Sequence, residues 1–165
     1  MAAGIVRPLK DSEAKALRAV WLEALKAEPE FYGAQLASAQ KKPLAFYKKR
    51  ISGGGAFGAF VKGKMVGFGA VRPMRLPGMY HKADMWGLYL REPLRGGGLA
   101  EDIIERIEEF ARQRFDVINV RVVDKNLRMR RFLDRTGYKL FGIERRALKS
   151  DGHYFDEEMR AKRIL

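Results

Sequence analysis

The sequence predicts a mixed α/β fold, a central sheet with helices on both faces. Two observations carry that reading. The second half alternates strand and helix, which requires some parallel pairing. The first half and the tail contain strands joined by short Gly-containing turns, which make antiparallel hairpins. At 165 residues, with no repeat and no polar linker, residues 1–165 read as a single domain with room for a real core.

The elements follow in order. Ile5 to Lys10 is a short strand. Asp11 or Ser12 caps a helix in which Ala16, Leu17, Val20, Trp21, Ala24 and Leu25 recur at three- and four-residue steps, and Pro29 ends it. A weaker helix runs from about Pro43 to Ile51 and stops at Gly53-Gly54-Gly55. Strands Ala56–Val61 and Met65–Pro73 meet at Lys62-Gly63-Lys64, and a third spans Ala83 to Leu90 after a loop at Arg75-Leu76-Pro77-Gly78. Leu99, Ile103, Ile104, Ile107, Phe110 and Ala111 then mark an amphipathic helix. Val117–Val123 is almost unbroken apolar sequence, as expected at a buried sheet centre. Asn126 opens the last helix, and Thr136-Gly137 closes it with glycine in the terminating position. Strands at about Tyr138–Leu148 and Tyr154–Ile164 flank the turn Ser150-Asp151-Gly152.

Composition narrows the chemistry. The chain has no cysteine, which excludes disulfides, Cys-ligated zinc, iron–sulfur clusters and any cysteine-linked covalent intermediate. Its imidazoles are His81 and His153 alone, so no metal site is expected. Apolar runs fall far short of the ~20 residues of a membrane span. The start, Met-Ala-Ala-Gly-Ile-Val-Arg, has no apolar core of signal-peptide length, which predicts a cytoplasmic protein. The 33 Lys and Arg against 20 Asp and Glu leave a net charge of +13, which favours anionic partners.

The segment after Leu90 bears on that charge. Arg91-Glu92-Pro93-Leu94 leads to Arg95-Gly96-Gly97-Gly98-Leu99-Ala100 at the mouth of a helix. Three glycines let backbone N–H groups turn inward, and the helix adds its unpaired N–H groups and positive dipole end. The arrangement suits an anion; the other reading is a glycine turn built for tight packing. It is not a P-loop, because Leu99-Ala100 stands where Lys-Ser/Thr is needed, nor a dinucleotide fingerprint, because Glu101 occupies the last small-residue position.

Arg-x-x-Gly-x-Gly/Ala at a strand-to-helix junction resembles the acetyl-CoA pyrophosphate signature of the Gcn5-related N-acetyltransferases (GNAT), with Arg95, Gly98 and Ala100 at its defining positions. The segment from Asn126 to Gly137-Tyr138 looks like the family's second motif. The tail from Glu144 through Asp151-Gly152 to Glu157 looks like its closing hairpin.

The resemblance implies a mostly antiparallel sheet with one parallel, splayed strand pair, Ala83–Leu90 and Val117–Val123. Acetyl-CoA would be the co-substrate. Its pantetheine arm would pair with the main chain of Leu88 and Leu90. Its pyrophosphate would rest on the N–H groups of Arg95, Gly96, Gly97, Gly98, Leu99 and Ala100. Asn126 would contact the pantetheine arm or serve as an ordinary helix cap. Glu101 and Asp102 should turn outward, since beside a pyrophosphate they would repel it.

Catalytic residues are less well marked. Where family members often carry a tyrosine acid, this chain has Leu133, so another tyrosine must serve if one does: Tyr138 is the candidate general acid, with Tyr154 also available. Asp84 is the candidate general base. It shares a strand face with positions 86, 88 and 90 if no bulge intervenes, and its alternative is a solvated residue at the strand's start. Trp21, Phe31, Tyr32, Phe46 and Tyr47 are candidates to line the acceptor site.

The implied activity is direct transfer of acetyl from acetyl-CoA to a primary amine of a small molecule, amino acid, protein N-terminus or lysine, through a ternary complex. A homodimer is a further possibility. The alternative is a non-catalytic basic module for nucleic acid or an acidic partner, resting on Lys125, Arg128, Arg130, Arg131 and Arg135, although the chain shows no nucleic-acid-binding motif.

Overall fold

The structure is a computed structural model and describes residues 3–165. Its seven strands are β1 (Ile5–Pro8), β2 (Ala56–Val61), β3 (Lys64–Pro73), β4 (Lys82–Leu90), β5 (Val117–Val123), β6 (Lys139–Ser150) and β7 (His153–Arg163). They form one sheet in the order β1-β2-β3-β4-β5-β7-β6, antiparallel except for the β4–β5 pair. Its helices are α1 (Ala14–Ala27), α2 (Leu36–Gln40), α3 (Leu44–Ser52), α4 (Leu99–Arg112) and α5 (Leu127–Arg135). None is long and apolar enough to cross a membrane.

Local chemistry sets the turns. β2 and β3 join through Lys62 and Gly63, both at positive φ (49° and 75°), the two-residue turn whose twist matches a hairpin. Gly137 ends α5 at φ 89°, where any side chain would strain the backbone.

Each face of the sheet carries its own core. On one, Ile103 and Ile107 of α4 and Leu133 of α5 pack on Ala83, Met85 and Ile118. On the other, Leu17 and Val20 of α1 and Tyr47 of α3 pack on Phe68 and Tyr89. Helices therefore cover both faces, as the alternation of elements predicts.

Two details differ from expectation. Asp11 and Ser12 do not cap α1; they lie in a 3-10 turn, Asp11–Glu13, and the Glu13 carboxylate accepts from the Lys10 N–H at 2.8 Å while meeting Arg7 at 2.6 Å. The helix α2 is additional, and its five residues are too few to leave a periodic trace.

The third difference shapes the site. Opposite β3, Phe68 pairs with Tyr89 but Ala70 pairs with Trp86, so β4 carries one extra residue between them. Gly87 sits in that bulge at φ 66°, where a Cβ would lie 2.5 Å from the Phe68 ring. The strand's alternation therefore shifts. Met85, Leu88 and Leu90 belong to the α4 core, while Trp86 and Tyr89 belong to the α1 core. Asp84 and Leu88 thus fall on opposite faces, and the shared face expected of positions 84, 86, 88 and 90 does not exist.

Candidate active site

β4 and β5 pair only at Lys82–Asp84 with Val117–Asn119. Beyond Asp84 the strands diverge, and the β5-facing main chain of β4 has no strand partner. Two adjacent cavities fill the gap, sharing Leu88, Arg128 and Met129 in their walls.

The first, of about 210 Å³, lies between the end of β4 and α5, with Leu88, Leu90, Gly96 and Ala100 facing Met129 and Phe132. The glycine loop forms its end. Gly96 and Gly98 have φ of 79° and 90°, and a Cβ on either would meet nothing within 4 Å. Tight packing is therefore not why glycine stands there; the left-handed backbone and the open approach are. Gly98 is also the N-cap of α4, while Leu99 turns into the core.

The arginines at this end are all paired with acids, Arg95 and Arg128 sharing one. The Arg95 Nε donates to the Leu90 carbonyl at 2.7 Å, and its Nη1 lies 3.0 Å from Glu28 Oε1. Arg128 reaches the same carboxylate at 2.9 Å. Arg91 is held by Glu23 through two bonds of 2.8 Å. Glu101 departs from expectation: it lines this cavity, and Arg135 at 3.1 Å offsets its charge.

The second cavity, of about 440 Å³, lies toward α1 and is walled by Trp21, Phe31, Tyr32, Trp86, Asp84, Asn119 and Glu157 among others. Trp21 packs edge-on against Tyr32 at 5.2 Å and Trp86 at 6.0 Å between ring centroids. Asp84 is half-buried and has no cation within 4.0 Å among the described residues. Burial pushes its carboxyl above the usual range, with Arg72 and Arg121 partly offsetting this. Arg121 is itself tied to Glu144 and Glu157.

Asn126 is buried, and its Oδ1 accepts from the Met129 N–H at 3.1 Å. It is thus a helix cap, and it also lines the second cavity. Of the five aromatic residues expected around the acceptor, Trp21, Phe31 and Tyr32 line this cavity; Tyr47 is a core residue bonded to the Ala39 carbonyl, and Phe46 lies outside.

Tyr138 does not reach either cavity, which corrects its assignment as general acid. It is fully buried, and its hydroxyl donates to Glu108 Oε1 at 3.2 Å. Glu108 is held in turn by Lys162 at 2.7 and 2.8 Å. Burial and that carboxylate push the phenol far above its usual range. Tyr154 is exposed near the β6–β7 turn, under the Arg146 guanidinium. Leu133 is core.

Sequence reasoning treated Tyr32 as wall only. It is the phenol of the second cavity, and burial raises its pKa well above the usual tyrosine range. The basic cluster of α5 is only partly neutralised: Arg128, Arg130 and Arg135 pair with Glu28, Glu158 and Glu101, while Lys125 and Arg131 have no ion pair among the described residues.

The chain belongs to the GNAT acetyltransferase family, whose acetyltransferase (GNAT) domain model matches residues 6–159. It is an N-acetyltransferase, and acetyl-CoA is its co-substrate. Its fold is shared with yncA of Salmonella typhimurium, solved with its cofactor acetyl-CoA, at TM-score 0.84 and 16% identity over 99% of this chain and 95% of that one. A GNAT acetyltransferase from Streptococcus pneumoniae superposes at 0.82 with 18% identity, covering 98% and 99%. A ribosomal-protein-alanine N-acetyltransferase from Brucella melitensis superposes at 0.79 with 19% identity, covering 96% and 99%. No curated protein matches the chain significantly in sequence.

Proposed function

We propose that the chain acetylates a primary amine bound in the cavity of Trp21, Asp84 and Trp86, by direct transfer within a ternary complex. The observation that carries this is that the two cavities share Leu88, Arg128 and Met129 as walls in the gap after Asp84 and Asn119.

The residues of the first cavity suit the co-substrate. The N–H groups from Arg95 to Ala100, at the N-terminus of α4, would take the pyrophosphate. The main chain of Leu88 and Leu90, without a partner toward β5, would pair with the pantetheine arm between Met129 and Phe132. Bound there, acetyl-CoA supplies an acetyl group already activated as a thioester.

On the acceptor side, Asp84 takes the proton of the incoming ammonium. Its half-buried carboxyl holds a proton more tightly than a solvated one, which suits a general base. Tyr32 stays protonated across the working pH range and relays to the leaving thiolate the second proton that the amine nitrogen sheds as the amide forms, so that it ends the step as a phenol. Trp21 and Trp86 orient the acceptor and exclude water. With no cysteine in the chain, no thioester on the enzyme precedes transfer.

Release of free thiol from acetyl-CoA, measured against a panel of amino acids, small primary amines and peptide N-termini, tests the reading. Turnover that falls in Asp84→Asn with acetyl-CoA affinity retained is expected. Acetyl-CoA binding with no thiol release for any amine would overturn it.

A further inference from the structure

The net charge of +13 is concentrated in one stretch. Residues 31 to 83 contain ten Lys or Arg and no Asp or Glu; the rest holds 23 cations and 20 anions, close to balance. This stretch builds α2, α3, β2 and β3. Where it meets the end of α4, the surface opens into a groove of about 460 Å³, bearing Lys49, Arg50, Arg72, Arg75 and Arg114 and no acidic residue.

These five cations differ from the arginines around the cofactor cleft. None lies within 4.0 Å of a carboxylate among the described residues, whereas Arg91, Arg95, Arg128 and Arg135 all do. Arg50 is the most constrained. It is half-buried, with its guanidinium 4.8 Å from the Phe46 ring and 5.0 Å from the Trp86 ring. Burial and the charges of Arg72 and Arg75 lower its pKa. Like charges gathered at fixed positions without a counter-ion are costly unless an anion joins them.

Location says which anion. The glycine loop follows the last residue of β4, and the groove adjoins Asp84 near the first, about 20 Å away at the usual rise of a strand. The groove therefore lies away from the cofactor's phosphate end. It adjoins the acceptor cavity instead: Arg72 and Trp86 belong to both walls, and Arg72 is the cross-strand partner of Asp84.

We infer that the groove is an oxyanion subsite for the acceptor, so that the preferred substrate is an amine carrying a phosphate or carboxylate group beyond the nitrogen that is acetylated. The inference rests on the acceptor lying in the Asp84 cavity. It accounts for charge that the cofactor does not use: the amine end meets Asp84, and the anionic end meets Arg72, Arg50 and Arg75.

The test uses the full chain saturated with CoA, so that the glycine loop is filled. Binding is measured by calorimetry for matched pairs with a free amine: O-phosphoserine against serine, and the peptide Ala-Glu-Glu-Glu against Ala-Gln-Gln-Gln. Thiol release from acetyl-CoA is measured for each. At least one anionic member should bind about tenfold tighter than its neutral match, the factor a single charge-assisted hydrogen bond supplies. Which pair shows the difference tells a small phosphorylated amine from an acidic peptide. Arg50→Gln should abolish the preference and leave CoA affinity unchanged. Arg75→Gln, on an exposed loop, should reduce it without any effect on folding.

Equal or absent binding of both members in both pairs overturns the inference, as does a preference that survives both variants. A short oligouridylate bound more tightly than either anionic probe would assign the groove to nucleic acid and also overturn it. Anion-dependent binding without thiol release would count against amine acetylation and leave the subsite standing. Thiol release without anion preference would do the reverse.

Discussion

Glu28 stands opposite Arg95 at the glycine-loop end of the cleft, with Oε1 3.0 Å from Nη1 and only 14% of the acid side chain exposed. The pair fixes Arg95 beside the glycine loop, but it also sets a carboxylate where the proposed site would take a pyrophosphate. Glu28→Gln should therefore tighten CoA binding several-fold and steepen its dependence on salt, because Arg95 and Arg128 would then face the anion uncompensated. Calorimetric titration of CoA at two ionic strengths checks this. Weaker binding would mean that Glu28 is needed more for orienting the arginines than it interferes by repulsion.

In the proposed mechanism Asp84 links activity to stability. Its carboxyl is raised by burial, so the folded chain binds its proton more tightly than the unfolded chain does. Stability at this site is then lost as pH rises from the ordinary aspartate range through the raised value. Asp84→Asn should melt higher than the parent at neutral pH, and the gain should vanish in acid below that range. The same variant should lose about 10²–10⁴-fold in kcat, the usual contribution of a general base. An unchanged kcat with an unchanged acid limb of the pH profile would remove Asp84 from the reaction.

Two tyrosines separate cleanly. Tyr138→Phe deletes a hydroxyl bonded to Glu108, which keeps Lys162, so the expected loss is about 1 kcal/mol of stability with normal turnover. Tyr32→Phe should leave the melting temperature nearly unchanged and lower kcat, with little change in CoA affinity. Reversed results would return the acid role to Tyr138.

Gly98 is held at φ 90° with open space in front of it. Gly98→Val forces a β-branched residue into that conformation at about 1–3 kcal/mol and puts a side chain where the anion approaches. CoA affinity should fall by about tenfold or more, a difference of at least ~1.4 kcal/mol. Retained affinity would displace the pyrophosphate from this loop.

The wall that carries Asn126 depends on a buried network. Arg160 and Glu158 are 4% and 2% exposed; Arg160 reaches Glu158 at 2.7 Å and bonds Asp134 of α5, and Arg130 of α5 joins Glu158 at 2.7 Å. Glu158→Ala leaves two guanidiniums without their shared partner and should cost about 3–5 kcal/mol, read by denaturant melts.

Much of this was legible in the sequence because it depends on local backbone chemistry. The glycines at 96 and 98, the cap at Asn126 and the stop at Gly137 each reflect a conformation or hydrogen bond set within a few residues. The order of elements, α2 apart, followed from hydrophobic period together with turn and cap residues. What escaped depends on distant chain. Glu28 and Glu101 enter the cleft because of where α1 ends and α4 begins in space. Tyr138 looked available until the fold set Glu108 and Lys162 around it. The bulge left one trace, a glycine inside an otherwise regular strand, but the direction in which it turned Leu88 needed the register with β3.

That single extra residue at Gly87 has an evolutionary reading. With the site as proposed, Asp84 and Trp86 before it face the acceptor and Leu90 after it answers to the co-substrate, so those positions are free to change separately. In the proposed reading, substitutions at Trp86 or in the neighbouring groove re-aim the enzyme at a new amine without disturbing how acetyl-CoA is held. One strand thus lets the chain inherit its donor while renegotiating its recipient.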